Sequence, residues 1–352
     1  MSRVKGRVLG LAGGLTMAAA LVTPAVALAQ TDTLPASPAP KPAGAASSSS
    51  GDAQAAQPDA VRAPAKLYMR LEKASNGTVE VDKRVRANVR MKPFVPQQKI
   101  EVRITHGGKT LKKRVLNVKQ IGHRNVGRVS LESNKVLDPG NYRAVAVHHP
   151  TPAVERAQVK SHQFHPVYPD LDPGQHNSQV KLFNELLRKQ AYFVGVDKSY
   201  DSSTQRAVMA FRKTNNMKRT FNASPEIFRM LANGDGSYHL QRPGLGRHVE
   251  VDISRQVMVL ANRGKPQYIF HVSTGAPSTP TIRGTFHFYR RQPGYNSLGM
   301  YYSVYFRGGY AIHGYHSVPP YNASHGCVRN PIPNSQFIYN WVTLGMPIAV
   351  YS

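Results

Sequence analysis

"GGYAIHGYHSVPPYNASHGCVRNP", residues 308–331, holds the single cysteine of a 352-residue chain, Cys327. The stretch begins as a strand ending on His313-Gly314, passes a Pro-Pro pair at 319–320 and reaches the thiol through Ser324-His325-Gly326. A loop through the two prolines brings the ends together, so that His313 can serve Cys327 as a base. A thiol attacks carbonyls as the thiolate, and its ordinary pKa of roughly 8.5 keeps it protonated at neutral pH. It therefore needs a base, a group that orients the base, and donors for a developing oxyanion. Gly326 lets successive N–H groups converge on one point, a nest for an anion. Two other readings of the same residues stay open: a small buried hydrophobe, or a tetrahedral zinc site of His313, His316, His325 and Cys327.

Outward from this stretch the strand signal is continuous from about Arg247 to the end. "HVEVDISRQVMVLANRGKPQYIFHVSTG" (248–275) reads as alternating strands around an Asn-x-Gly turn, and "GTFHFYRR", "YYSVYFRGGYAIHG" and "GMPIAVYS" continue the pattern. Only "NSQFIYNWV" (334–342) reads as helix. One β-rich domain, 247–352, therefore owns the cysteine.

Upstream the character changes twice. Residues 172–235 carry three short helical patterns: Val180, Phe183 and Leu187; Val208 and Phe211 behind Ser202 and Gln205 in capping-box register; and Ile227, Met230 and Leu231 behind Ser224-Pro225. Residues 65–168 read as short strands between turns. "KIEVRIT" (99–105) is followed by a Gly-Gly turn, and Pro139-Gly140 precedes another alternating strand. The spacing predicts an immunoglobulin-like antiparallel β-sandwich acting as a spacer. The whole is a mainly β, multidomain chain.

At the N-terminus, Arg3, Lys5 and Arg7 precede the apolar run Val8–Val22 and a small-x-small site at Ala27-Leu28-Ala29. This is the plan of a secretory signal peptide, 1–29, followed by a Pro/Ala/Ser-rich flexible linker, 30–64. Secreted chains use cysteine in pairs, so an unpaired one in this setting points to a reactive thiol or a link between chains. The 46 Lys and Arg against 19 Asp and Glu give a net charge of +27. No zinc-finger spacing, basic helix with heptads or basic-aromatic RNA-binding motif accompanies that charge, which argues against nucleic acid and for an anionic surface such as a cell wall.

Two resemblances follow from these residues. "DPGQHNSQVKLFNELL…YFVGVDKSYDSSTQRAVMAFRKTNNM" resembles the peptidoglycan-binding repeat found beside cell-wall enzymes. The segment 247–352 resembles the L,D-transpeptidase catalytic domain, the YkuD family. "VSTGAPSTPTIRGTFHFYR", "YFRGGYAIHGY" and "SHGCVR" match its three motifs in order. The resemblance implies that a cysteine attacks the carbonyl of residue 3 of a peptidoglycan stem peptide and expels the terminal D-alanine. The thioester then passes to the amine of another stem as a 3→3 cross-link. It makes Cys327 the nucleophile, His313 the general base and the Gly314 carbonyl the group that orients the base. Backbone N–H groups at His325, Gly326 and Cys327 form the oxyanion hole, and Ser324 shapes the loop. Arg329 meets a substrate carboxylate or braces the loop, and Tyr315 and His316 are expected at the acceptor side. Neither cofactor nor metal is implied. The expected location is the cell envelope, periplasm or wall, with the membrane touched only through the signal peptide.

Overall fold

The computed structural model describes residues 61–352. The expected signal peptide and the expected linker before residue 61 lie outside the described residues. Among the described residues no helix is long and apolar enough to cross a membrane.

The first ten strands are β1 (Lys66–Glu72), β2 (Thr78–Glu80), β3 (Arg84–Lys92), β4 (Lys99–His106), β5 (Lys109–Asn117), β6 (Lys119–Gln120), β7 (Gly127–Lys135), β8 (Tyr142–His148), β9 (Ala157–Lys160) and β10 (His165–Val167). Two antiparallel four-stranded sheets, in the orders β1-β3-β7-β6 and β5-β4-β8-β9, bury one core between them. The strict alternation of β3 turns Val85, Ala87, Val89 and Met91 inward and Arg84, Arg86 and Arg90 to solvent. Ile100, Val102 and Ile104 of β4 meet them from the other sheet, as the sequence pattern predicts. A short parallel pair of β2 and β10 closes one edge.

Three helices follow: α1 (Ser178–Lys189), α2 (Ser202–Thr214) and α3 (Pro225–Asn233). Asn177 caps α1, its side chain accepting the Val180 N–H. The cap of α2 is Asp201 and not Ser202, which becomes the first helical residue. The Asp201 carboxylate accepts the Thr204 N–H and sets a negative charge at the positive end of the helix. Ser224 is the N-cap residue of α3, with Pro225 at its first position and Gly234 in the left-handed conformation at its end.

The remaining elements are β11 (His248–Asp252), β12 (Val257–Asn262), β13 (Lys265–His271), β14 (Gly284–His287), β15 (Arg290–Tyr295), β16 (Tyr301–Arg307), β17 (Tyr310–Tyr315), β18 (Val328–Pro331), α4 (Ile332–Trp341) and β19 (Pro347–Tyr351). They form a five-stranded sheet, β13-β12-β11-β19-β14, and a four-stranded sheet, β15-β16-β17-β18. Arg263 and Gly264, both at positive φ, make the two-residue turn between β12 and β13. The alternation in β12 does not mark a solvent face, because both of its faces are buried. Met258 and Leu260 enter the core between the two sheets, while Val257 and Val259 join Val180, Phe183, Phe211 and Ile227 of the helices. Ile269 and Phe270 divide β13 in the same way. The chain after α1 also pairs with β13: the Ile269 N–H donates to Ala191 O and the Phe193 N–H to Ile269 O. The helices thus cover the outer face of the five-stranded sheet.

A buried carboxylate ties the segment before β11 to that sheet. Glu250 accepts hydrogen bonds from the Gln241 N–H (2.9 Å), the Arg242 N–H (2.7 Å), His248 Nε2 (3.1 Å) and the Tyr351 hydroxyl. Burial alone would raise its pKa, but these donors outweigh it and hold the carboxyl below its ordinary value. Its contribution is in place above the ordinary carboxylate range and is lost as pH falls through the lowered value. Glu250→Ala strands His248 and two amides and is expected to remove about 3–5 kcal/mol of stability, read by urea unfolding at neutral pH. The deficit should shrink as pH falls through that range.

Candidate active site

Parallel pairing of β17 with β18 sets Ile312 opposite Val328 and His313 opposite Arg329. Side chains alternate along a strand, so Cys327, two residues before Arg329, falls on the same face as His313 and Arg329. All three line a cleft of about 390 Å³ together with Tyr315, Ser324, His325, Leu298, Met300 and Gly309. His313 is 3 % exposed and Cys327 is half-buried against Met300, Tyr305 and Ala311.

His313 Nδ1 lies 2.9 Å from the Gly314 carbonyl. A carbonyl only accepts, so Nδ1 carries the proton and Nε2 is left as the basic nitrogen. Gly314 has to be glycine: a Cβ there would lie 2.2 Å from Ser335 Oγ of α4. Burial pushes the His313 pKa down to about 4, against the pull of the Gly314 carbonyl and with the help of the Arg329 charge. Burial pushes the Cys327 thiol up, opposed by the Ala311 N–H and the Arg329 charge. The Sγ donates to Gly309 O at 3.5 Å. At neutral pH the two groups rest as thiol and neutral imidazole.

The loop that carries Cys327 is clamped by the segment after β13. Thr274 O accepts the N–H groups of Ala323 and Ser324 at 2.9 and 3.0 Å, and the Ala276 N–H donates to Ser324 O at 2.8 Å. The buried Thr281 hydroxyl accepts the Gly275 N–H and donates to Gly326 O, both at 2.8 Å. Thr274 is gripped in turn by the buried Gln256 side chain, which accepts its N–H at 2.8 Å and donates to its Oγ1. Inside the loop Ser324 Oγ donates to Cys327 O and accepts the Gly326 N–H at 3.1 Å. This corrects one expectation: the Gly326 amide is committed to Ser324 and braces the turn. Among the described residues, the His325 and Cys327 N–H groups donate to no protein acceptor, and these two are the free donors beside the thiol. Gly326 itself is required at φ +114, where a Cβ would meet the Tyr310 ring at 2.8 Å.

Arg329 stacks on Tyr315, its guanidinium carbon 4.2 Å from the ring centroid. It has no carboxylate partner among the described residues, so its donors face the cleft unpaired. Tyr315 also meets His313 edge-on, at 5.7 Å between centroids. His316 is exposed, packs on Tyr315 and does not line the cleft. No group of three or more His, Cys, Asp or Glu side chains is placed to hold a metal among the described residues.

Sequence reasoning missed Leu298, Met300 and Gly309 on one wall and Thr281 and Gln256 beneath the loop. The first three come from two hairpin turns whose only signal, Asn296-x-x-Gly299 and Gly308-Gly309, marks a turn without saying what it covers. Thr281 lies inside a quoted motif, but its role depends on Gly326, 45 residues away.

Residues 246–350 match the model of the YkuD family, the L,D-transpeptidase catalytic domain. This part of the chain is a domain of that family. Among solved structures, the chain is similar to an L,D-transpeptidase from Xylanimonas cellulosilytica (29 % identity, 53 % of this chain and 98 % of that one, TM-score 0.49). It is also similar to one from Stackebrandtia nassauensis (19 %, 53 % and 97 %, TM-score 0.33) and one from Mycobacterium smegmatis (15 %, 82 % and 100 %, TM-score 0.27). Among curated proteins none matches the chain.

Thr281→Val keeps the shape but leaves the Gly275 N–H and the Gly326 carbonyl without their partner. It is expected to remove about 1–3 kcal/mol of stability in urea unfolding. It should also alter the rate at which iodoacetamide alkylates Cys327.

Proposed function

We propose that the chain is a peptidoglycan L,D-transpeptidase. The observation that carries this reading is the placement of a neutral His313, its tautomer fixed by the Gly314 carbonyl, in one cleft with Cys327 and two free backbone donors. A domain of the L,D-transpeptidase family spanning the same residues supports it.

In the proposed reaction His313 Nε2 takes the proton of Cys327 as Sγ attacks the carbonyl of stem-peptide residue 3. The oxyanion is held by the N–H groups of His325 and Cys327. Collapse breaks the peptide bond, and His313 returns its proton to the departing D-alanine amine. The thioester is then attacked by the side-chain amine of a second stem. His313 takes a proton from that amine and restores it to Cys327 as the C–S bond breaks, giving the 3→3 cross-link. Retaining the acyl bond as a thioester lets this proceed without an external energy source. Arg329, stacked and without an acidic partner, is assigned to a substrate carboxylate. Tyr315 holds Arg329 in place, and His316 is left with no part in the chemistry. A wall protein is a second class of acceptor for the same thioester.

Two other readings differ in outcome. With water as acceptor the same site is an L,D-carboxypeptidase. A purely wall-binding protein would have no use for the intact set of His313, Cys327 and Arg329. We also place the protein in the cell envelope, on the signal-peptide pattern of 1–29 and the net charge of +27, which suits an anionic wall.

Incubation with a disaccharide tetrapeptide is expected to give an acyl adduct on Cys327 by intact mass and a 3→3 dimer in solution. Tripeptide alone would assign the hydrolase, and an adduct that persists in Cys327→Ala would remove the mechanism. Because the base must be unprotonated, the acid limb of kcat/KM is expected near pH 4, well below the ordinary histidine value of 6.5.

A further inference from the structure

Lys213, at the end of α2, is 1 % exposed and has no acidic partner. Its Nζ reaches three acceptors across the face where α2 packs on the five-stranded sheet: Gln256 O (3.1 Å), Val272 O (2.8 Å) and His271 Nδ1 (2.7 Å). The other nitrogen of His271, Nε2, lies 3.1 Å from Val318 O. Val318 O can only accept, so Nε2 carries a proton. The two carbonyls at Nζ also only accept, so the Nζ–Nδ1 contact needs one further proton shared between lysine and imidazole. The array is satisfied only with a positive charge buried in it.

Such a charge is a poor stabiliser. Burial, with Arg219 nearby, pushes Lys213 down to about 6, and burial with the charges of Lys213 and Arg206 holds His271 well below its ordinary value. What the array touches is informative. Val318 belongs to the loop, residues 316–327, that joins His313 to Cys327. Arg219, just beyond α2, donates to Pro320 O in the same loop and to Ser254 O. Gln256, whose carbonyl Lys213 holds, is the residue whose side chain grips Thr274, and Thr274 grips Ala323 and Ser324.

We propose that the helical segment 172–235 is a positioning element of the active site: Lys213, through His271 and Gln256, and Arg219, through Pro320, hold the backbone of the loop that presents Cys327 to His313. This rests on the transpeptidase reading for its kinetic readout, and on geometry alone for its thiol readout. It gives the helices a role in the chemistry that wall binding does not call for.

The test uses the full chain with Lys213→Met and, because Arg219 is exposed and its loss leaves the packed core intact, Arg219→Ala. Lys213→Met leaves Gln256 O, Val272 O and His271 Nδ1 without their donor, so its Tm is expected to fall. The Tm of Arg219→Ala is expected to equal that of the wild type and to separate positioning from stability. Displacing the loop is expected to lower kcat for 3→3 dimer formation by about 10- to 100-fold in Lys213→Met and by a smaller factor in Arg219→Ala, with KM nearly unchanged. The rate of Cys327 alkylation by iodoacetamide should shift in the same order. Wild-type kcat and wild-type alkylation in both variants would overturn the proposal, as would a fall in kcat that merely tracks a fall in Tm. If the wild type forms no dimer but Arg219→Ala still changes the alkylation rate at undiminished Tm, the transpeptidase reading fails and the positioning role stands.

Discussion

The parallel pairing of β17 with β18 is the constraint on which the rest of the site depends. It sets His313 and Arg329 side by side and brings Cys327 to their face in the same step. Parallel neighbours require a crossover, usually a helix that satisfies its own backbone. Here the crossover is the irregular segment 316–327, whose polar groups must find partners elsewhere. They find them on two sides. Ser273, Thr274, Ala276, Thr279 and Thr281 bond to its carbonyls and amides from the adjoining segment, while His271 and Arg219 reach Val318 and Pro320. Cys327 therefore sits on a loop whose polar groups are bonded from two sides, with glycine at the point where the chain turns against Tyr310.

The electrostatics of the cleft follow from the same burial. Desolvation penalises both charged forms, lowering the imidazole and raising the thiol, so the resting pair carries no charge. Arg329 is the permanent charge among the three and is left without an acidic neighbour. In the proposed reaction a carboxylate arriving with the substrate completes that pair, and the proton moves from Cys327 only as the thiol attacks.

What was legible in the sequence was local. The Asn-x-Gly hairpin, the alternation of Ile100, Val102 and Ile104, and Ser224-Pro225 ahead of α3 each depend on neighbours a few residues away, and each is found where the pattern puts it. That His313 and Cys327 share a cleft was suggested by the Pro-Pro loop between them. On the residues alone three readings of the thiol stayed open, and the roles came only from the resemblance to the YkuD motifs. The cleft wall was not legible, because Leu298 and Met300 reach Cys327 only through the β15–β16 turn. The Gly326 amide was misassigned because a nest looks the same in sequence whether its N–H groups face a ligand or a hydroxyl two residues back. Ser202 and Gln205 have the capping-box spacing, but Asp201 one residue earlier takes the cap because its carboxylate accepts the Thr204 N–H. Nothing in the sequence sets Lys213 apart from the other cations of the chain. Only the packing of α2 on β13 shows that its end points into the sheet.

The proposed mechanism requires His313 to be a neutral imidazole protonated on Nδ1, facing an uncharged thiol. Nitrogen-15 chemical shifts of His313 report protonation state and tautomer directly. At about pH 6, below the ordinary histidine value, the account predicts a neutral ring with its proton on Nδ1 and none on Nε2. An imidazolium at that pH, or a neutral ring protonated on Nε2, would contradict it.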